Sequence, residues 1–298
     1  MRVTTLHIQV TGRNNGSTDR YSTMEQRYSR AQSICAHMKG SSSMPRGITA
    51  DVYAGGRPFF LLSPKGYIWN LRDQITCFLC SGNGPADVSP KDMFWALTLL
   101  EQEHTPVFVL PMGQINENPD ISHQYICETE HNISSILQGA AKPLHLFCHG
   151  ETAYAGYLML MREERRRTRD RTGLFTGDLS MTALFGGSIS SSLPEREELR
   201  QGLRDLPFRI SLIALAEDPA GTAADIIKTW PDTHEMKQVT IDLVKPAFHA
   251  DSGIFPPSWN TDELSRIEGD ASVISDTRQS VRLSLEAMQM VCLLLARR

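Results

Sequence analysis

What the 298-residue sequence lacks narrows the field first. Cysteine is sparse: six in a chain of this length are too few for a disulfide scaffold. No apolar run reaches the roughly 18 residues a membrane span requires. The strongest run, Met288 to Ala296, is about half that and contains Gln289. Excess positive charge is also missing. Thirty Lys and Arg stand against thirty-four Asp and Glu, a net charge of −4, which argues against a generic nucleic-acid coat. The N-terminus has neither the apolar core nor the small-residue cleavage pattern of a secretory leader. A cytoplasmic or nuclear protein with reduced thiols is therefore expected. No internal repeat is visible, and no complete catalytic motif.

What is present is an alternation of short apolar runs with amphipathic stretches. Leu6 to Val10 reads as a strand and Tyr21 to Met38 as a helix. Ile48 to Ala54 and Pro58 to Leu62 flank Gly55-Gly56 as a hairpin. Ile75 to Cys80, Pro106 to Leu110 and Pro143 to Cys148 are of strand length. Between and after them lie helical stretches from Ser89-Pro90 to about His104, from Ser122 to Leu137, and from about Glu151 to Met161. Ser89 can cap the first of these, with Pro90 at the first helical position and Asp92 at the capping-box offset. The rhythm lapses after Met161. It resumes with strands at Phe208 to Ala216 and Gln238 to Val244 around a helix from Ala220 to Trp230.

This order predicts an α/β protein with a largely parallel, Rossmann-like sheet and flanking helices. The two rhythmic stretches are halves of one sheet or two lobes: 1–160, a basic and Gly/Ser-rich connection at 161–206, and 207–298 with a C-terminal helix. The alternative is an α+β domain in which Ile75 to Cys80 belongs to a buried helix, since short apolar runs do not settle the period.

In an open parallel sheet, ligands bind outside the carboxyl ends of the strands. Small residues collect there: Ser81, Gly82, Asn83 and Gly84 after one strand, Gly113 after the next, and Gly150 after the third. Helix N-termini at that edge favour a phosphate or carboxylate. The expectation is a nucleotide-like or other anionic ligand, although Ser-Gly-Asn-Gly completes neither a Walker A loop nor a dinucleotide fingerprint. The bland reading is a glycine-rich turn.

Cys148, His149 and Glu151 are the catalytic candidates: a thiol, a base and an acid next to a helix start. Adjacent strand residues point to opposite faces, so Cys148 and His149 pair only if the strand has already ended. Cys80 is a second nucleophile candidate, with Asn83 as an oxyanion donor. Burial as ordinary packing is the competing reading for both thiols. Cys77 and Cys80, with Cys127 and His131 or His123, form a possible zinc set, against which stand the long spacer and the apolar context of the Cys-x-x-Cys pair.

Between Arg162 and Arg171, six arginines (Arg162, Arg165, Arg166, Arg167, Arg169 and Arg171) face three acids. They suit phosphates or an acidic protein, or else a self-paired solvated helix. The C-terminal stripe of Val281, Leu285, Met288, Cys292 and Leu295 suits core packing or a homodimer seam. Three functions follow. The first is a ligand-binding sensor or modest hydrolase at the strand edge. The second is a non-enzymatic interaction protein, such as a pathogen factor or assembly component, working through the arginine run and last helix. The third is a Cys-His hydrolase or transferase.

Overall fold

A computed structural model describes residues 2–6, 17–54, 57–68, 74–103, 106–113, 119–138, 142–150, 152–170, 173–175, 177–185, 206–215, 239–244 and 291–292. Its strands are β1 (Arg2–Leu6), β2 (Ile48–Tyr53), β3 (Phe59–Pro64), β4 (Ile75–Cys80), β5 (Val107–Pro111), β6 (Leu144–His149), β7 (Leu179–Phe185), β8 (Arg209–Leu215) and β9 (Val239–Val244). Its helices are α1 (Ser17–Met38), α2 (Pro90–Glu103), α3 (Pro119–Leu137) and α4 (Thr152–Arg165), with a 3-10 turn at Pro85–Asp87 and a π-helical turn at Arg166–Asp170.

The strands form a single sheet in the order β1-β9-β8-β7-β6-β4-β5-β3-β2. All neighbours are parallel except the β2–β3 hairpin and the β3–β5 pair. The chain is thus an α/β protein, and strands from both rhythmic stretches and from the first 70 residues share one sheet. Ile75 to Cys80 is a strand buried at every position, not a helix.

Period two divides the core into two layers. Cys77, Leu79, Leu146, Cys148, Met181 and Ala183 pack on the α3 and α4 side. Phe78, Cys80, Val109, Phe147 and Leu184 pack on the α1 and α2 side, with Val291 and Cys292. Gln102 Nε2 donates to the carbonyl of Cys292 at 2.7 Å. Cys292 therefore packs within its own chain, against α1 and α2; the remaining stripe residues lie outside the described set.

Several boundaries differ from the sequence reading. The first strand lies at Arg2–Leu6; of the expected strand from Leu6 to Val10, residues 7–10 lie outside the described residues. α3 begins at Pro119 rather than Ser122 and ends at the expected Leu137, with Gln138 at φ 49° after it; the expected closing Gly139 lies outside the described residues. β7 falls where the sequence pattern shows no strand. Its sequence LSMTALF alternates, with Met181 and Ala183 on one face and Thr182 and Leu184 on the other, all buried. Ser180 and Thr182 make it resemble the polar linker around it.

Candidate functional site

The strand order reverses at β4. The chain steps from β4 outward to β5, then crosses back to place β6 on the other side of β4 and continues outward. The carboxyl ends of β4 and β6 therefore flank the topological switch point, where open α/β sheets hold ligands.

β6 ends on Cys148, His149 and Gly150. Cys148 and His149 are successive strand residues and point to opposite faces. Cys148 is wholly buried on the α4 side, where a Cβ on Gly156 would collide with its sulfur. Burial pushes its thiol well above the ordinary cysteine range. The two residues do not form a nucleophile–base pair. Cys80 is equally buried, facing the α2 layer, and burial with the charge of Asp92 pushes it up too.

His149 points to the α2 side and meets Asp92. Its Nδ1 lies 2.7 Å from Asp92 Oδ1. Asp92 stands in the first turn of α2 because Ser89 caps that helix: the Asp92 amide donates to Ser89 Oγ at 3.1 Å. The carboxylate does not complete a standard capping box. Its Oδ2 instead accepts the hydroxyls of Ser89 at 2.8 Å and Ser81 at 3.2 Å. A carboxylate accepts only, so in this contact Nδ1 of His149 donates to Asp92. Nε2 is covered from solvent and has no hydrogen-bond partner among the described residues. Trp95, fully buried, sits with its ring 6.4 Å from the imidazole.

Thr152 locks the turn that follows. Its hydroxyl donates to the Leu79 carbonyl at 2.7 Å and accepts the His149 amide at 3.1 Å, tying α4 to β4 and β6. Gly150 lies between, at φ +61°, and its amide donates to Leu184. Among the described residues, no atom lies within 4 Å of a Cβ added there. Glu151 lies outside the described residues.

The glycine loops meet beside this turn. The Gly113 amide donates to the Gly82 carbonyl at 2.7 Å. Gly113, at φ +75°, also lies against Arg57: a Cβ there would stand 2.5 Å from its Nη2. Arg57 is buried, stacks 3.8 Å over the Tyr125 ring and donates to the Pro111 carbonyl at 2.6 Å. It works as a brace between β5, α3 and the approach to β3. Ser81 and Asn83 are exposed, with Gly82 and Gly84 partly so.

The anion expectation meets an obstacle. The N-terminus of α2 is already answered by the protein's own carboxylate, Asp92, with Ser89 as its cap. An incoming phosphate there would face that carboxylate.

The cysteine set does not come together. Cys77 and Cys80 are three apart in a strand and face opposite layers. Cys127 lies on α3 beside His123 and Arg162, at 3.8 Å and 3.3 Å from its sulfur. His131 is exposed on the same helix. Among the described residues no group of three His, Cys, Asp or Glu is placed to hold a metal.

The arginine run is largely spoken for. Arg162 and Arg166 pair with Glu130 of α3 at 3.1 and 2.5 Å. Arg167 pairs with Glu163 at 2.9 Å and stacks against Phe208. Arg165 and Arg169 are exposed. Arg171 lies outside the described residues.

Asp92 is the site residue the sequence reading valued only as a helix cap. Its shortened side chain was the available signal. One methylene less than glutamate, it sits three residues after a capping serine and beside a strand end.

No protein-family model matches the chain, and no curated protein matches it. Solved structures are similar in fold. A hormone-sensitive lipase from a metagenome library is 13% identical at TM-score 0.47, covering 95% of this chain and 98% of that one. A carboxyl esterase from the fungus Tuber melanosporum is 11% identical at TM-score 0.45, covering 87% and 98%. A thermostable esterase from Pseudomonas putida is 10% identical at TM-score 0.44, covering 93% and 98%. Likeness of this degree carries no inference about activity. Among the described residues no helix is long and apolar enough to cross a membrane.

Proposed function

We propose that the chain is a hydrolase of small neutral substrates at the carboxyl ends of β4 and β6, with His149 as its acid–base group. The observation that carries this reading is the Asp92–His149 pair at the switch point, with Nε2 left without a partner among the described residues. A buried polar atom without a partner calls for a reason, and a proton-transfer role is one. Asp92 orients the ring and stabilises its charged form while a proton is held on Nε2. Ser81 and Ser89 fix Asp92 in turn. A neutral substrate is favoured over a nucleotide because Asp92 already occupies the helix N-terminus.

Hydrolysis of p-nitrophenyl acetate and a panel of short-chain esters tests the reading. His149→Ala should lower kcat/KM by about 10²-fold or more, the scale of positioned acid–base catalysis. Asp92→Asn should lower kcat more than it raises KM. Activity unchanged in His149→Ala would sink the proposal.

A further inference from the structure

The opposite end of the sheet holds a cavity of about 560 Å³. It lies at the amino ends of β4 and β5, on the α3 side. The six residues of β4 set it roughly 17 Å from the turn that begins at Ser81. Its floor comes from four neighbouring strands: Tyr53 of β2, Phe59 of β3, Phe108 of β5 and Ile75 of β4. Leu137, at the end of α3, and Lys142, ahead of β6, belong to the rest of the lining. Ile75, Phe59 and Phe108 are buried, whereas Tyr53 on the edge strand is 43% exposed. The hollow therefore opens at the β2 edge and deepens toward β4. Three rings shape it. Tyr53 and Phe59 stack 5.0 Å apart with their planes 8° from parallel, and Phe108 tilts at 56° to Phe59. Rings so arranged offer both faces and edges to a further aromatic ring. Of the described residues that line the hollow, Lys142 is the charged one. Its backbone is fixed in place. The Ile75 amide donates to the next carbonyl along, that of Pro143, at 2.8 Å, and a Cβ on Gly177 would collide with the Lys142 carbonyl. From that root a four-carbon stem can lie along an apolar wall and carry its ammonium to the rim.

We propose that this hollow binds a small aromatic carboxylate, with its ring among Tyr53, Phe59 and Phe108 and its charge toward Lys142. The volume is that of sites which enclose small organic molecules, and the lining has their usual make-up of apolar and aromatic walls with few polar groups. The ring leaves water for an aromatic surface. The carboxylate, which would pay heavily for burial alone, keeps a cation at the mouth. A positive charge without an acid beside it in the lining selects an anion over a neutral or cationic ring of the same size. The hollow shares no residue with the site at His149, so it stands whether or not the hydrolase reading does.

Titration calorimetry of the full chain with three probes of one shape tests this: 2-naphthoate, the neutral 2-naphthamide and the cationic 2-naphthylmethylammonium. The expected result is one 2-naphthoate per chain, with the amide bound about tenfold more weakly and the ammonium weaker still. Lys142→Met should bring naphthoate down to the affinity of the amide and leave the amide unchanged. Tyr53→Ala, at an exposed position, should weaken naphthoate and amide alike, by about three- to tenfold. Circular dichroism checks the fold of both variants. Equal affinity for the three probes, or naphthoate binding that neither substitution reduces, overturns the inference. So does the absence of saturable binding up to about 1 mM, whether the chain itself or a second copy fills the hollow. If the variants do not fold, photolabelling of the wild type with 4-benzoylbenzoate replaces them. Attachment within β2, β3, β5 or the last turn of α3 is expected, and attachment confined to other segments overturns the placement.

Discussion

Nδ1 of His149 and Oδ1 of Asp92, 57 residues apart in sequence, lie 2.7 Å from each other and join the end of β6 to the first turn of α2. The carboxylate also gathers Ser81 from the loop after β4. One buried side chain thus holds together two strand ends and a helix. Its removal strips three donors of their acceptor. Asp92→Ala should destabilise the fold by about 1–3 kcal/mol, the cost of unsatisfied buried polar groups. Asp92→Asn, which keeps one acceptor oxygen, should cost less. Urea unfolding monitored by tryptophan fluorescence reads both. A loss below about 0.5 kcal/mol in Asp92→Ala, the scatter of ordinary surface changes, would mean the pair does not support the fold.

Gly156 and Cys148 face each other across the joint between α4 and β6. A methyl group at 156 would collide with the Cys148 sulfur and stand 3.0 Å from Met181 Sδ. Gly156→Ala should therefore destabilise by about 1–3 kcal/mol, the usual cost of overpacking, despite alanine's better helix propensity. Cys148→Ala alone should cost about 1 kcal/mol or more for the space it leaves. The double variant should recover part of the loss, because the smaller residue at 148 admits the larger one at 156. The sign of the coupling decides: additive losses in the double-mutant cycle would show that the two residues do not meet.

The sheet was largely legible because its strands announce themselves in one of two ways. Ile75 to Cys80 is apolar throughout, as a strand covered on both faces must be, and it is buried at every position. β7 is buried at Leu179 and from Met181 to Leu184 but carries Ser180 and Thr182. The signal there was period-two alternation in LSMTALF, masked by the glycine- and serine-rich residues on either side. The site was half legible. Small residues at Ser81 to Gly84 and at Gly150 do lie at the switch point, where position alone put them. The partnership of His149 was not legible, because a contact with Asp92 depends on how α2 lies across β6. Sequence adjacency favoured Cys148 instead, and strand geometry turns that residue the other way.

Burial sets the chemistry of the thiols and gives the fold an alkaline limit. Cys35 is pushed up to about 12 by burial, against the pull of Lys39. Cys292 is pushed to about 11, again by burial, with Arg27 and Thr98 pulling it down. Their unfolded counterparts ionise near 9. Below that pH both states keep the proton and the full stability is present. Above it the unfolded chain releases protons that the folded one retains, so stability falls as pH rises toward about 11 to 12. Each thiol contributes up to about 1.4 kcal/mol per pH unit in that window. Urea midpoints should be flat from pH 7 to 8.5 and decline steeply above pH 9. Cys35→Ala should shrink the decline, and an unchanged slope in that variant would show that this thiol is not its source. At pH 7.5, iodoacetamide should modify Cys127 first, since it is the one described cysteine that is not buried.

The arginine run divides into residues that hold the fold and residues that do not. Glu163 is wholly buried and accepts from Arg167 Nε at 2.9 Å and from the amides of Leu174 and Phe175 at 2.9 and 3.1 Å. It fastens the end of α4 to residues 174 and 175, which lead into β7. Glu163→Ala removes the acceptor of all three and leaves two buried amides unanswered, a change that should cost about 1–3 kcal/mol, while Arg167 keeps the carbonyls of Phe175 and Gly177. Glu163→Gln keeps an acceptor for the amides and should fall between that variant and wild type. Arg165→Ala and Arg169→Ala, both at exposed positions, should stay within about 0.5 kcal/mol of wild type. Chemical denaturation of the four variants separates the two classes. Among the described arginines of the run, Arg165 and Arg169 are the exposed ones through which a nucleic acid or acidic partner would be read. Salt-dependent retention of the wild type on heparin, reduced in the Arg165→Ala/Arg169→Ala double variant with its stability intact, would assign the run that second role. Equal retention of the two proteins would leave it to the joint between α3, α4 and β7.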